Sequence, residues 1–152
     1  MYGSLAEADI YFDDNDLSET WDTFSDTQKI KALNLATKQI DRFPLHGEKY
    51  DDTQDNEFPR LYYNDGYKYY WNNNKDTGII EVPENIKEAT YIQAKFLLEY
   101  KDSNRIKAQK EGVTSLSVGS TSESYNLTKL GVIQNLNRAS YNIITRYLLR
   151  FV

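Results

Sequence analysis

The sequence predicts a mainly α fold, a small helical bundle with an inserted β-hairpin, and two observations carry that prediction. Apolar residues return every three or four positions in "SDTQKIKALNLATKQIDRF", in "ENIKEATYIQAKFLLEY" and again from Leu127 onward, the spacing that gives a helix one buried face. Between the last two stretches lies "KEGVTSLSVGSTSESYNL", Lys110 to Leu127, where small, polar and β-branched residues alternate with period two.

Each element follows from its own residues. Ser4 with Glu7 three positions later forms a capping box for a short helix ending near Phe12. "DDNDLSETW" is a polar turn in which Ser18 can cap a further helical turn that delivers Trp21 to the core. Asp26 is the expected cap of the next helix, whose stripe is Ile30, Leu33, Ala36, Ile40 and Phe43, and Pro44 stops it. Residues 44–82 are irregular, except that "LYYNDGYKYY" places Asp65-Gly66 between tyrosine-rich flanks, a hairpin signal. "NNNKDTG" then reads as a loop closing on Gly78. Pro83, expected in the first turn, opens a helix buried through Ile86, Ala89, Ile92, Phe96, Leu97 and Tyr100. "KDSNRIKAQKEG" either continues it or breaks near Ser103, and Gly112 ends it. Val113 to Tyr125 should form the inserted hairpin, with Gly119 and Ser120 available for its turn. A final helix carries Leu130, Ile133, Leu136, Ile144, Tyr147, Leu148 and Phe151 at helical spacing.

The 152 residues suit one domain spanning 1–152. With no cysteine there is no disulfide framework, thiolate metal site or thiol nucleophile. No secretory segment and no long apolar run is found, so a soluble protein made in a cytoplasm is expected. The net charge of −5 conceals polarity along the chain. Residues 1–28 hold eight acids and no base, whereas residues 124–152 hold Lys129, Arg138, Arg146 and Arg150 and no acid. Such halves are either solvated faces or surfaces meant to meet, within the fold or between copies.

Chemistry-bearing motifs are absent from the sequence. His46 is the single histidine, in a loop. No P-loop, dinucleotide fingerprint or nucleophile elbow occurs, and neither oxygen-rich loop has the calcium-loop pattern of Gly at position six and Glu at twelve. The expectation is therefore no enzyme, no catalytic residue, no metal and no cofactor. Arg138, Arg146 and Arg150 are a thin basic set for nucleic acid, although the tyrosines could stack on single-stranded bases.

"SLAEADIYF", "ALNLATKQIDRF", "HGEK", "FPR", "VPENIKEATYIQAKFLL" and "GVTSLSVGSTSESY", in that order, resemble the tailed-phage head–tail connector (adaptor or head-completion) proteins, a group also labelled DnaT-like single-stranded-DNA-binding. The resemblance covers most of the chain and departs at about residues 61–79, a tyrosine-rich insertion. It implies the protomer of a homo-oligomeric, dodecameric ring in the virion. Such a ring would bind the portal protein on one side and a stopper or tail-completion protein on the other. Double-stranded DNA would pass through its channel during packaging and ejection without sequence-specific binding, and no membrane is involved.

Under that resemblance, a ribbon too poor in apolar residues to stand alone pairs with a neighbouring copy. Val113, Leu116, Val118, Ser122 and Tyr125 then form the subunit interface, with Tyr63, Tyr69 and Trp71 from the insertion. The C-terminal helix, 127–152, has apolar residues on more than one face. Arg138, Tyr141, Arg146, Tyr147, Arg150 and Phe151 are thus the expected portal contact, unless both faces are buried within the monomer. The runner-up function is a single-stranded-DNA-binding replication accessory, which a salt-dependent gel shift would separate from a connector.

Overall fold

The computed structural model describes residues 1–64, 67–70, 80–100, 115–118, 121–124 and 136–148. Helix α1 (Leu5–Asp14) starts as its capping box requires: the Glu7 N–H donates to Ser4 Oγ at 3.2 Å, and the Ser4 N–H donates to Glu7 Oε2 at 2.7 Å. It turns at Asp16, which takes φ +55°, a left-handed conformation that Asp tolerates better than most residues. The single turn α2 (Ser18–Trp21) follows, with Leu17 rather than Ser18 at its cap. Helix α3 (Asp26–Ile40) is capped by Ser25, one residue before the expected Asp26, and the Ser25 N–H donates to the Gln28 side chain at 3.0 Å. It ends four residues before Pro44, with Asp41 as its C-cap.

Strands β1 (Glu48–Lys49), β2 (Arg60–Asn64) and β3 (Tyr67–Tyr70) form an antiparallel sheet in that order. Asn64 stands opposite Tyr67, so β2 and β3 pair as the hairpin expected from the sequence, whose Asp65 and Gly66 themselves lie outside the described residues. Helix α4 (Glu84–Glu99) has Pro83 at its N-cap, not inside its first turn, and Tyr100 at its C-cap. Strands β4 (Ser115–Val118) and β5 (Thr121–Ser124) pair antiparallel from Ser115–Ser124 to Val118–Thr121, giving the inserted hairpin. Helix α5 (Arg138–Ile144), capped by the Asn137 side chain, runs into a 3-10 turn over Thr145–Tyr147. The fold is thus mainly helical with a small hairpin.

α3 and α4 pack most extensively on one another, α5 covers α4, and α1 lies across both α3 and α4. Two apolar clusters result. One holds Ala8, Phe12 and Trp21 from α1 and α2 against Ala32, Leu33 and Ala36 of α3 and Tyr91 and Ala94 of α4. The other gathers Tyr2, Ile40, Phe43, Leu45, Phe58, Ile86, Ala89, Ile144 and Tyr147 from five separate stretches of chain. Two glycines permit close approaches. At Gly3 (φ +75°) an added Cβ would lie 2.1 Å from the Tyr91 hydroxyl oxygen, and at Gly47 (φ +83°) it would lie 2.0 Å from the Leu61 carbonyl oxygen.

Candidate functional site

The buried cations are consumed by the fold. Lys29, only 6% exposed, is held by Asp9 Oδ1 at 3.1 Å and Asp22 at 3.5 Å, with its ammonium 5.1 Å from the centre of the Trp21 ring. The Trp21 indole N–H donates to the same Asp9 oxygen at 2.7 Å. A buried lysine needs such partners, because an uncompensated charge in the core costs several kcal/mol (of order 3–5 when one partner is removed). Arg60, equally buried, donates to the Leu45 and His46 carbonyls at 3.2 Å each, to the Gly47 carbonyl and to Glu57. It ties the 45–47 loop to β2 and has no hand to spare for a ligand.

A cleft of about 320 Å³ between α1 and α4 has the opposite character. Glu7, Glu84 and Glu88 line it with Tyr11 and Tyr91, whose rings lie 5.5 Å apart. Lys87 bridges Glu7 at 2.9 Å and Glu84 at 3.0 Å. Burial alone would lower the pKa of Lys87, but its bonds to Glu7 and Glu84 outweigh that and hold it above the ordinary value. Burial, with the Glu88 charge adding to it, pushes Tyr11 up to about 12; burial and the Glu7 charge do the same for Tyr91. Three carboxylates against one lysine repel a phosphate chain, so this cleft does not suit nucleic acid.

The exposed acids Asp13, Asp14, Asp16, Glu19, Asp22 and Asp26 crowd around α2 and the start of α3. At the other end of α3 the sign reverses. Lys31, Lys38 and Arg42 are exposed and make no ion pair among the described residues. Lys31, exposed Leu35 and Lys38 are four and three apart, which puts them on one side of α3, and Arg42 follows in the turn just past its C-cap. Arg138 and Arg146 of the α5 region are exposed as well, and Tyr141 lies 6.0 Å from Phe43, so α5 meets the chain just past Arg42.

The structure scatters the residues expected to form sites. Leu116, Val118 and Ser122 are in the β4–β5 hairpin and Tyr63 and Tyr69 are in β2–β3, while Val113, Trp71, Tyr125, Arg150 and Phe151 lie outside the described residues. Tyr147, expected to face a partner, is instead 3% exposed in the second cluster, because the His46 N–H donates to its carbonyl at 2.7 Å and Leu148 bridges Leu45. Tyr141 and Ile143 also pack on that cluster, leaving Arg138 and Arg146 as the exposed members of the expected portal contact. Of its two alternatives, the described part of the C-terminal helix follows the one in which its apolar faces serve the monomer. Among the described residues no group of His, Cys, Asp and Glu converges as a metal site would, and no helix is long and apolar enough to cross a membrane.

Comparison with known families overturns one of the two readings left by the sequence. The family whose model matches, over residues 1–152, is described as "Putative DnaT-like ssDNA binding protein". No curated protein and no solved structure matches the chain. The matched family is not a head–tail connector family, so the connector membership expected above is corrected. With it go the ring, the portal and stopper partners, the duplex-DNA channel and the virion role. Along its whole length the chain belongs to the DnaT-like single-stranded-DNA-binding family.

Proposed function

We propose that this protein binds single-stranded DNA and serves replication as an accessory that acts by binding, without catalysis of its own. The observation that carries this reading is the match of the entire chain to a family described by single-stranded-DNA binding. The net charge of −5 counts against nucleic acid only if it is spread evenly, and it is not. Acids cluster about α1, α2 and the α1–α4 cleft, whereas exposed cations without ion pairs among the described residues lie on α3. A screened electrolyte responds to local charge, since fields fade over a Debye length of about 8–10 Å.

Fluorescence anisotropy of a labelled oligothymidine tests the reading. Binding should weaken linearly in log salt, as counterions return to the phosphates. A hairpin duplex of the same length should bind less tightly. An intact, folded protein that shows no binding to single strands even at 50 mM salt would overturn it.

A further inference from the structure

We infer that single-stranded DNA lies along the outer face of α3, with its phosphates against Lys31, Lys38 and Arg42. The inference deepens the function proposed above and rests on it. Between Asp26 and Asp41 the helix carries no acid, although acids outnumber bases in the chain. At 1.5 Å per residue the three cations extend over about 16 Å, room for a few nucleotides. Leu35 lies between Lys31 and Lys38 and is 43% exposed, offering sugars and bases an apolar contact along the same line.

Distance from the acidic end ranks the three. Lys38 stands about 18 Å along the axis from Asp26, about two Debye lengths, and Arg42 lies beyond the helix end, whereas Lys31 at about 8 Å is within reach of that charge. Asp41 adjoins Arg42, but its carboxylate is turned inward to accept from the Tyr2 hydroxyl. The roughly half negative charge at the C-terminal end of the helix is outweighed by Lys38 and Arg42. Tyr141 meets Phe43 just past Arg42, and the exposed Arg138 lies three residues before it on α5.

The salt dependence of binding reads the number of phosphates held. For single strands the slope of log affinity against log salt is about −0.7 for each phosphate neutralised, so the triple variant Lys31→Gln, Lys38→Gln, Arg42→Gln should lose about 2 from the slope. The charge-preserving variant Lys31→Arg, Lys38→Arg, Arg42→Lys should keep the wild-type slope. Circular dichroism checks folding, and if the triple variant is unstable the double variant Lys38→Gln, Arg42→Gln is read, with an expected loss of about 1.4. Wild-type binding with an unchanged slope in the folded neutral variant would overturn this face and leave the function standing. Absence of wild-type binding would overturn both.

Discussion

The two apolar clusters sit on the same pair of helices and are built by different means. The first is helix against helix: Phe12 and Trp21, with ring centres 4.6 Å apart, close on a strip of alanines and Leu33. Its polar fastening is one charged group, Lys29, shared by Asp9, Asp22 and the indole. The second is stitched from loop and terminal residues, with Phe58 edge-on to both Tyr2 (5.8 Å) and Tyr147 (5.3 Å). Here the Tyr2 hydroxyl accepts from the Phe58 N–H at 2.9 Å and donates to Asp41, while the Tyr2 N–H donates to Thr37 at 3.0 Å. Apolar surface alone can assemble the first cluster. The second needs long-range hydrogen bonds to choose which loop meets which helix, and it therefore forms only when the chain's two ends are both in place.

The largest test of that difference is truncation after Asn142. It removes Ile144 and Tyr147, both buried, and the Leu148 bridge to Leu45. Losing one large buried apolar side chain costs about 2–5 kcal/mol, and several together approach the roughly 5–15 kcal/mol that holds a whole domain. The truncated chain should aggregate or lose its cooperative melt, read by size exclusion and circular dichroism. A soluble, cooperatively melting product would show that the first cluster stands without the second.

Sharpening the comparison takes a single atom. Tyr2→Phe keeps the ring in the cluster but leaves the Phe58 N–H without its acceptor and takes one of its donors from Asp41, which keeps the Glu57 backbone N–H. A buried unsatisfied group costs about 1–3 kcal/mol. For a domain of this size the midpoint should fall roughly 2–4 °C for each kcal/mol. Burial already holds Asp41 above the ordinary carboxylate value against the pull of the Tyr2 hydrogen bond. Losing that bond should raise it further, a shift that NMR titration of the Asp41 carboxyl can follow. An unmoved midpoint would mean that packing alone places the 58 loop.

The helical members of both clusters were legible in the sequence, whereas Tyr2, Leu45 and Phe58, the loop and terminal members of the second, were not, for a physical reason. Ser4 and Glu7 are three residues apart, and Leu33, Ala36 and Ile40 repeat along one helix, so local periodicity reports them. Ile30, on the expected stripe, is 38% exposed, while Lys29 beside it is buried, because the partners that neutralise Lys29 come from α1 and the α2 end. On α4, Thr90 and Gln93 are buried although polar: Thr90 donates to the Ile86 carbonyl at 2.8 Å. Gln93 links Gln39 at 2.8 Å to the Asn137 N–H at 2.6 Å. Periodicity cannot announce partners 40 or 50 residues away, and for the same reason Tyr147 read as a spare surface residue. The cations Lys31, Lys38 and Arg42, in contrast, are a local pattern, spaced seven and four apart in the sequence itself.

The smallest test asks whether charge across the α1–α4 cleft contributes at all beside the first cluster. Glu7 accepts from the Ser4 N–H and from Lys87, and these bonds, that to Lys87 foremost, hold its carboxyl below the ordinary value near 4.5. A depressed carboxylate stabilises the fold fully above its unfolded value and loses that contribution as pH falls through the folded one. Glu7→Gln can keep the capping acceptor and loses the charge. Because the Glu7 side chain is 46% exposed, solvent screens the pair and the difference at pH 7 should be only about 0.2–1 kcal/mol. Melts of both proteins between pH 7 and pH 3 should converge on the acid side, and 0.5 M salt should narrow the gap at pH 7. A gap that persists unchanged at pH 3 would show that Glu7 acts through its cap, and that the ion pair across the cleft contributes nothing to holding α1 on α4.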